Sequence, residues 1–240
     1  MHNPNLVIAA LAIGVLSGGT QALAWDDKNW EEEGPGPILN GVNNNSPVAG
    51  AINAIVPSRT SPDVVFVGTV SGGVWKTSNA TAAVPAWIPL TDHQLPQLPI
   101  KSLAMSPVKP QTLFAGTGST TSFNRFGELG IGVARSTDGG ETWKVLARST
   151  FTGRTITSIV PTTLNGGKTV LAATWPDQGG VYRSTDNGVT FTRISGNGTS
   201  GLPNAGVTNL VADPSNSQRF YAAVAASAGG GRGGGCLPQR

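Results

Sequence analysis

Two carboxylates in this chain have the most distinctive setting. Asp138 and Asp186 each stand inside the pattern S-x-D-x-G-x-T-aromatic, spelled Ser136-Thr-Asp-Gly-Gly-Glu-Thr-Trp143 and Ser184-Thr-Asp-Asn-Gly-Val-Thr-Phe191, with a spacing of 48 residues. A carboxylate can serve as general acid, base or nucleophile, and glycoside hydrolysis normally uses a pair of them. Here the neighbours argue for a different job. Gly140 and Gly188 supply the positive φ of a tight turn, while Ser136 and Thr142, or Ser184 and Thr190, can bond locally to the acid. The pattern predicts two turn-forming aspartates, with Trp143 and Phe191 as hairpin anchors whose burial stabilises by about 3 kcal/mol or more each. No catalytic residue is assigned.

A second group lies in the insertion from Gly118 to Gly130, where Phe123, Asn124, Arg125, Phe126 and Glu128 gather aromatic, amide and ionic groups in a sparsely charged chain. Loops on a rigid scaffold commonly carry binding, so this is a candidate ligand surface. The alternative is that Arg125 and Glu128 pair with each other while the phenylalanines pin the loop. Asp92 and His93, at the start of a connection, form a further candidate surface. His2 and His93 are the only histidines and Cys236 the only cysteine, so no metal or cofactor is expected and no internal disulfide can form. A nucleophile elbow, a phosphate-binding loop and a zincin motif are all missing from the sequence. The glycine runs precede no helix and read as turns.

The elements that carry these residues repeat. Strands ending in a small residue and Thr or Val recur as Val65-Phe-Val-Gly-Thr69, Leu113-Phe-Ala-Gly-Thr117, Val170-Leu-Ala-Ala-Thr174 and Phe220-Tyr-Ala-Ala-Val224. Phe66, Phe114, Leu171 and Tyr221 are separated by 48, 57 and 50 residues. Upstream strands lead into Pro57, Pro107, Pro161 and Pro214. Third strands end at Thr77, Ser136 and Ser184, and fourth strands run to Leu90, Leu146 and Ile194. Periods of this length with four short strands each predict an all-β, partial β-propeller of four-stranded antiparallel blades, about three complete blades and the start of a fourth. In the first blade, Thr77-Ser-Asn-Ala-Thr-Ala-Ala-Val-Pro-Ala-Trp87 keeps the flanking strand and the Trp but has a longer loop where the eight-residue pattern should be.

Residues 1–24 read as a secretory signal peptide, with an apolar run from Leu6 to Leu16 and an Ala22-Leu-Ala24 cleavage site; the alternative is a retained anchor, since the first residues lack Lys and Arg. Residues 25–49 form an acidic lead-in rich in Pro, Gly and Asn, 50–226 the blades, and 227–240 an irregular Gly-rich tail. That tail reads either as a truncation or frameshift of a longer propeller or as a flexible end. A secreted or periplasmic location without a membrane anchor in the mature chain is expected. Thirteen Lys or Arg against eight acids between residues 34 and 226 make too weak a field to argue for nucleic acid.

The eight-residue pattern resembles the Asp-box, or bacterial neuraminidase repeat, and the span from about Gly50 to Ala226 resembles Asp-box propellers such as sialidases, sortilin-type receptors and xyloglucan-degrading glycoside hydrolases. That resemblance implies Asp138 and Asp186 in turns between third and fourth strands. The segment Trp87-Ile-Pro-Leu-Thr-Asp92 resembles the first blade of the xyloglucan hydrolases, whose adjacent R-T-D-x-G-G carries a catalytic Asp; this chain reads Gly68-Thr-Val-Ser-Gly-Gly73, with Val70 in the acid's place. The arginine cluster and R-I-P signature of sialidases are missing too, and Tyr182 and Tyr221 fall on strands as packing aromatics. Two functions stand: a non-catalytic binding or scaffold module for a polysaccharide or cell-surface protein, or a glycosidase fragment whose acids lie in other blades.

Overall fold

A computed structural model describes residues 51–96, 99–120, 127–175, 179–196, 201–225 and 236–238. Three four-stranded antiparallel sheets follow one another along the chain. Blade one is β1 (Ile52–Pro57), β2 (Val65–Thr69), β3 (Val74–Thr77) and β4 (Trp87–Pro89). Blade two is β5 (Ile100–Met105), β6 (Leu113–Thr117), β7 (Val133–Ser136) and β8 (Lys144–Leu146). After a short helix α1 (Arg148–Phe151), blade three is β9 (Thr155–Pro161), β10 (Val170–Trp175), β11 (Gly180–Ser184) and β12 (Thr192–Arg193), with α2 (Leu164–Gly167) in its first turn. A fourth, three-stranded sheet orders β13 (Val207–Ala212), β14 (Phe220–Val224) and β15 (Cys236–Pro238). The last of these comes from within the stretch that reads by sequence as an irregular tail, and it pairs with β14 through Ala222 and Leu237.

Alternation along each strand sends successive side chains to opposite faces, so blades two and three each bury one face against the preceding sheet and the other against the following one. In blade two, the cross-strand row Leu103, Ala115, Ala134 and Val145 packs with Phe66 and Val74 of blade one. The opposite row, led by Ala104 and Phe114, packs with Ile159, Ala172 and Tyr182 of blade three. Leu171 and Val160 continue the pattern toward Leu210 and Ala222 of the fourth sheet. The core is therefore three separate layers between sheets rather than one central mass.

The innermost strands β1, β5, β9 and β13 share one irregularity. Each has an extra residue in its pairing with the second strand, namely Asn53, Lys101, Thr157 and Thr208. A bulge of this kind bends the strand and re-aims a side chain. The inner strands are also stitched to each other: Asn53 Nδ2 donates to the Ile100 carbonyl at 2.8 Å, Ser102 Oγ to the Ile156 carbonyl at 2.9 Å, and Thr157 Oγ1 to the Val207 carbonyl at 2.7 Å. Gly116 makes room for this contact, since a Cβ there would stand 2.6 Å from Ile156 Cγ2.

Candidate functional site

Asp138 lies between β7 and β8, and Asp186 between β11 and β12, in turns of the same construction. Ser136 Oγ donates to Asp138 Oδ1 at 2.7 Å and accepts the Gly140 N–H at 2.8 Å. The same carboxylate accepts the Thr142 N–H at 2.9 Å and the Thr142 hydroxyl at 2.5 Å. In blade three, Ser184 Oγ donates to Asp186 at 2.7 Å, and Asp186 accepts from the Val189 N–H at 3.1 Å, the Thr190 N–H at 2.9 Å and the Thr190 hydroxyl at 2.6 Å.

These bonds decide what the acids can do. The Thr142 hydroxyl and N–H, with the Ser136 hydroxyl, lower the Asp138 pKa from 3.8 to about 2. Desolvation pushes Asp186 up, but the Thr190 hydroxyl and N–H, the Ser184 hydroxyl and the Val189 N–H outweigh it and leave the group below its ordinary value. A carboxylate held ionised by three or four donors has no proton to give a leaving group at neutral pH and few free lone pairs to act as a base. Both aspartates are thus placed as hydrogen-bond acceptors inside a turn.

The turn also docks each blade on the one before it. Trp143 is buried in the layer between blades one and two, its Nε1 donating to the Gly140 carbonyl at 2.9 Å. Phe191 occupies the next layer, where Phe151 of α1 meets it edge to face at 5.0 Å and meets Tyr182 at 5.1 Å. Gly140 has φ +94°, and a Cβ there would come within 2.6 Å of Leu90 Cδ1 in blade one. Gly188, at φ +83°, lies correspondingly against the Phe114 ring of blade two.

Blade one, which by sequence lacks this turn, retains its hydrogen-bonding centre in neutral form. Thr77 Oγ1 donates to Asn79 Oδ1 at 2.9 Å, and Asn79 Oδ1 accepts the Ala86 N–H at 2.8 Å. Thr77 pairs with Trp87 across β3 and β4, so Asn79 stands two residues past the strand end, as Asp138 does. The longer loop obscures this equivalence when segments are aligned on the turn glycine; alignment on the strand end reveals it.

The other sequence-derived candidates are distributed. Asp92 and His93 are exposed and lie in a turn that Gln94 fastens to blade two, its Oε1 accepting the Trp143 N–H and its Nε2 donating to the Glu141 carbonyl, both at 2.9 Å. Glu128 is exposed in the β6–β7 connection, where its N–H donates to Ser119 Oγ at 3.0 Å and its carbonyl accepts the Ser119 N–H at 2.9 Å. Phe123, Asn124, Arg125 and Phe126 lie outside the described residues. Val70 sits in the β2–β3 turn, its N–H on the Ala51 carbonyl, with Thr69 Oγ1 accepting the Gly72 N–H at 2.8 Å. Thr117 Oγ1 holds Ile131 and Gly132 in the same way in blade two. Gln94 and the bulged inner-strand residues were not singled out by sequence reasoning, and no local pattern marks them. Among the described residues no group of three or more His, Cys, Asp or Glu is placed to hold a metal, and no helix is long and apolar enough to cross a membrane.

No family model matches the chain. Xyloglucanase Xgh74A of Acetivibrio thermocellus is 27% identical over 154 residues, covering 60% of this chain and 18% of the relative. A xyloglucanase of Paenibacillus sp is 26% identical over 176 residues, covering 70% of this chain and 16% of the relative. The chain thus spans less than a fifth of the length of these curated relatives. Among solved structures, an ancestral GH74 enzyme superposes with a TM-score of 0.52 at 26% identity, covering 78% of this chain and 23% of that one. A GH74 enzyme of Niastella koreensis gives 0.54 at 20% identity over 78% of this chain and 28% of that one, a likeness of fold. The similarity is to β-propeller glycoside hydrolases, and the sheets described above are blades of a partial propeller.

Proposed function

We propose that this chain supplies glycan-engaging blades of a xyloglucan-hydrolase-like propeller, and that cleavage depends on carboxylates these blades do not provide. The observation that carries the reading is the similarity to two xyloglucanases over blades whose two turn aspartates, Asp138 and Asp186, are unsuited to proton transfer. Val70 occupies the turn where the resemblance puts an acid, and a valine cannot protonate a leaving oxygen. The eight-residue turns are read as Asp-box repeats with a structural role, residues 1–24 as an export signal, and the loop from Gly118 to Gly130, with Glu128, as the surface that meets a polysaccharide. This reading favours the glycosidase-part alternative over a free-standing scaffold.

The purified chain is expected to be retarded by xyloglucan in affinity electrophoresis and to release no reducing ends from it. Release of reducing ends that disappears in Asp92→Asn or Glu128→Gln would overturn the assignment of catalysis to other blades. No retardation by xyloglucan would overturn the glycan reading and leave the scaffold reading in its place.

A further inference from the structure

The inner strands line an open cavity of about 200 Å³ on the axial side of the blades, bordered by Asn53, Lys101, Ser102, Thr157, Ser158 and Asn209 among others. It is unlike the interblade layers, which are apolar. Three of its lining residues, Asn53, Lys101 and Thr157, are or adjoin the repeated bulge positions, so the same backbone irregularity in successive blades turns polar side chains toward one place.

The hydrogen bonds there leave a definite set of groups over. Ser158 Oγ accepts the Leu210 N–H at 3.0 Å and lies 3.1 Å from Asn209 Oδ1, to which it donates. That bond fixes the Asn209 amide with its oxygen on Ser158 and its two N–H donors on the other side. Asn53 uses Nδ2 on the Ile100 carbonyl and keeps its amide oxygen. Ser102 and Thr157 spend their protons on backbone carbonyls and keep lone pairs. Lys101 is the one charged residue among the described lining residues. Among the described residues no carboxylate lines the cavity, and the ion pair found among them joins Arg219 to Asp213, in another part of the fold. An ammonium with no carboxylate among the described lining residues, beside amide donors and hydroxyl acceptors, matches a ligand with one carboxylate and several hydroxyls. The volume is below the roughly 300–1,000 Å³ typical of drug-sized sites, and suits one sugar unit rather than a chain.

We propose that this axial cavity binds the carboxylate of an acidic sugar, a uronate residue, with Lys101 as the anchoring cation and Asn209 as a second donor. The proposal does not depend on xyloglucan, which would engage loops rather than the inner-strand wall. The test is isothermal titration of the full chain with digalacturonate, with neutral galactobiose and with glycylglycine, at low and moderate salt. Digalacturonate should bind at least tenfold more tightly than either control, and its affinity should fall with added salt. Lys101→Gln should lower that affinity at least tenfold and Asn209→Ala several-fold, while Lys101→Arg, which keeps the charge, should retain most of it. Equal binding of galactobiose, or an affinity unchanged in Lys101→Gln, would overturn the carboxylate site. Glycylglycine binding as well as digalacturonate would overturn the sugar assignment. Because Lys101→Arg preserves the cation, a loss of affinity there equal to that of Lys101→Gln would also count against the proposal.

Discussion

At the scale of single residues, an aspartate became structural because donors surround it. The unfolded carboxyl titrates near 3.8 and the folded Asp138 near 2. The depressed folded value means that Asp138 stabilises the fold fully above about pH 4, and that this contribution fades as pH falls toward 2. Asp138→Asn cannot follow that change. Wild-type protein is therefore expected to have a higher urea midpoint than Asp138→Asn at pH 6, with the gap closing between about pH 4 and pH 2. A gap that stays constant across that interval would show that the Thr142 and Ser136 bonds do not bias the ionised form. Asn79 adds a comparison inside the molecule: blade one builds the same turn centre from an amide, and its bonds should carry no such acid dependence.

Among elements, legibility varied with how local the cause was. The second strand Val65–Thr69 is evident from sequence because an apolar run ends at a small residue and Thr, and β6 repeats it. The bulges at Asn53, Lys101, Thr157 and Thr208 are not, because an extra residue in one strand is defined only by the register of its partner. Helix α1 escaped for another reason: four residues contain no helical period, yet Phe151 is fully buried in the layer between blades two and three. Gln94 is legible only once the Trp143 turn of the next blade is beside it. Of the candidate site, the turn residues were legible and the axial lining was not. Turn chemistry itself predicts an outcome. Gly140 and Gly153 both have positive φ, at +94° and +84°, but a Cβ at 140 meets Leu90 whereas one at 153 meets nothing within 4 Å. Gly140→Ala should therefore cost about 1–3 kcal/mol more than Gly153→Ala in equilibrium denaturation, the usual penalty for overpacking a filled space. Similar losses for the two would place the cost in the backbone alone.

Over the whole molecule, packing runs from each blade to the next, through three layers centred on Phe66 with Trp143, Phe114 with Phe191, and Leu171 with Leu210. Blades two and three are held on both faces, blade one and the fourth sheet on one described face each. Ile55 of β1 and Val211 of β13, on the outward faces, are 56% and 48% exposed, whereas Leu113 and Val170 of the second strands β6 and β10 are fully buried. Amide hydrogen exchange should accordingly be slowest in β6 and β10 and fastest in β1 and β13, with at least a tenfold difference in protection. Uniform exchange across all four sheets would mean that the layers open together.

The turn that leans on the preceding blade gives this chain a direction. Trp143 reaches back toward Phe66, and Phe191 back toward Phe114. A blade emerging during synthesis thus finds its docking surface already made, and completes its own hairpin only by gripping its elder neighbour. Assembly can then proceed like a zipper closed from the amino end, where an error in one tooth halts those that come later and spares those already shut.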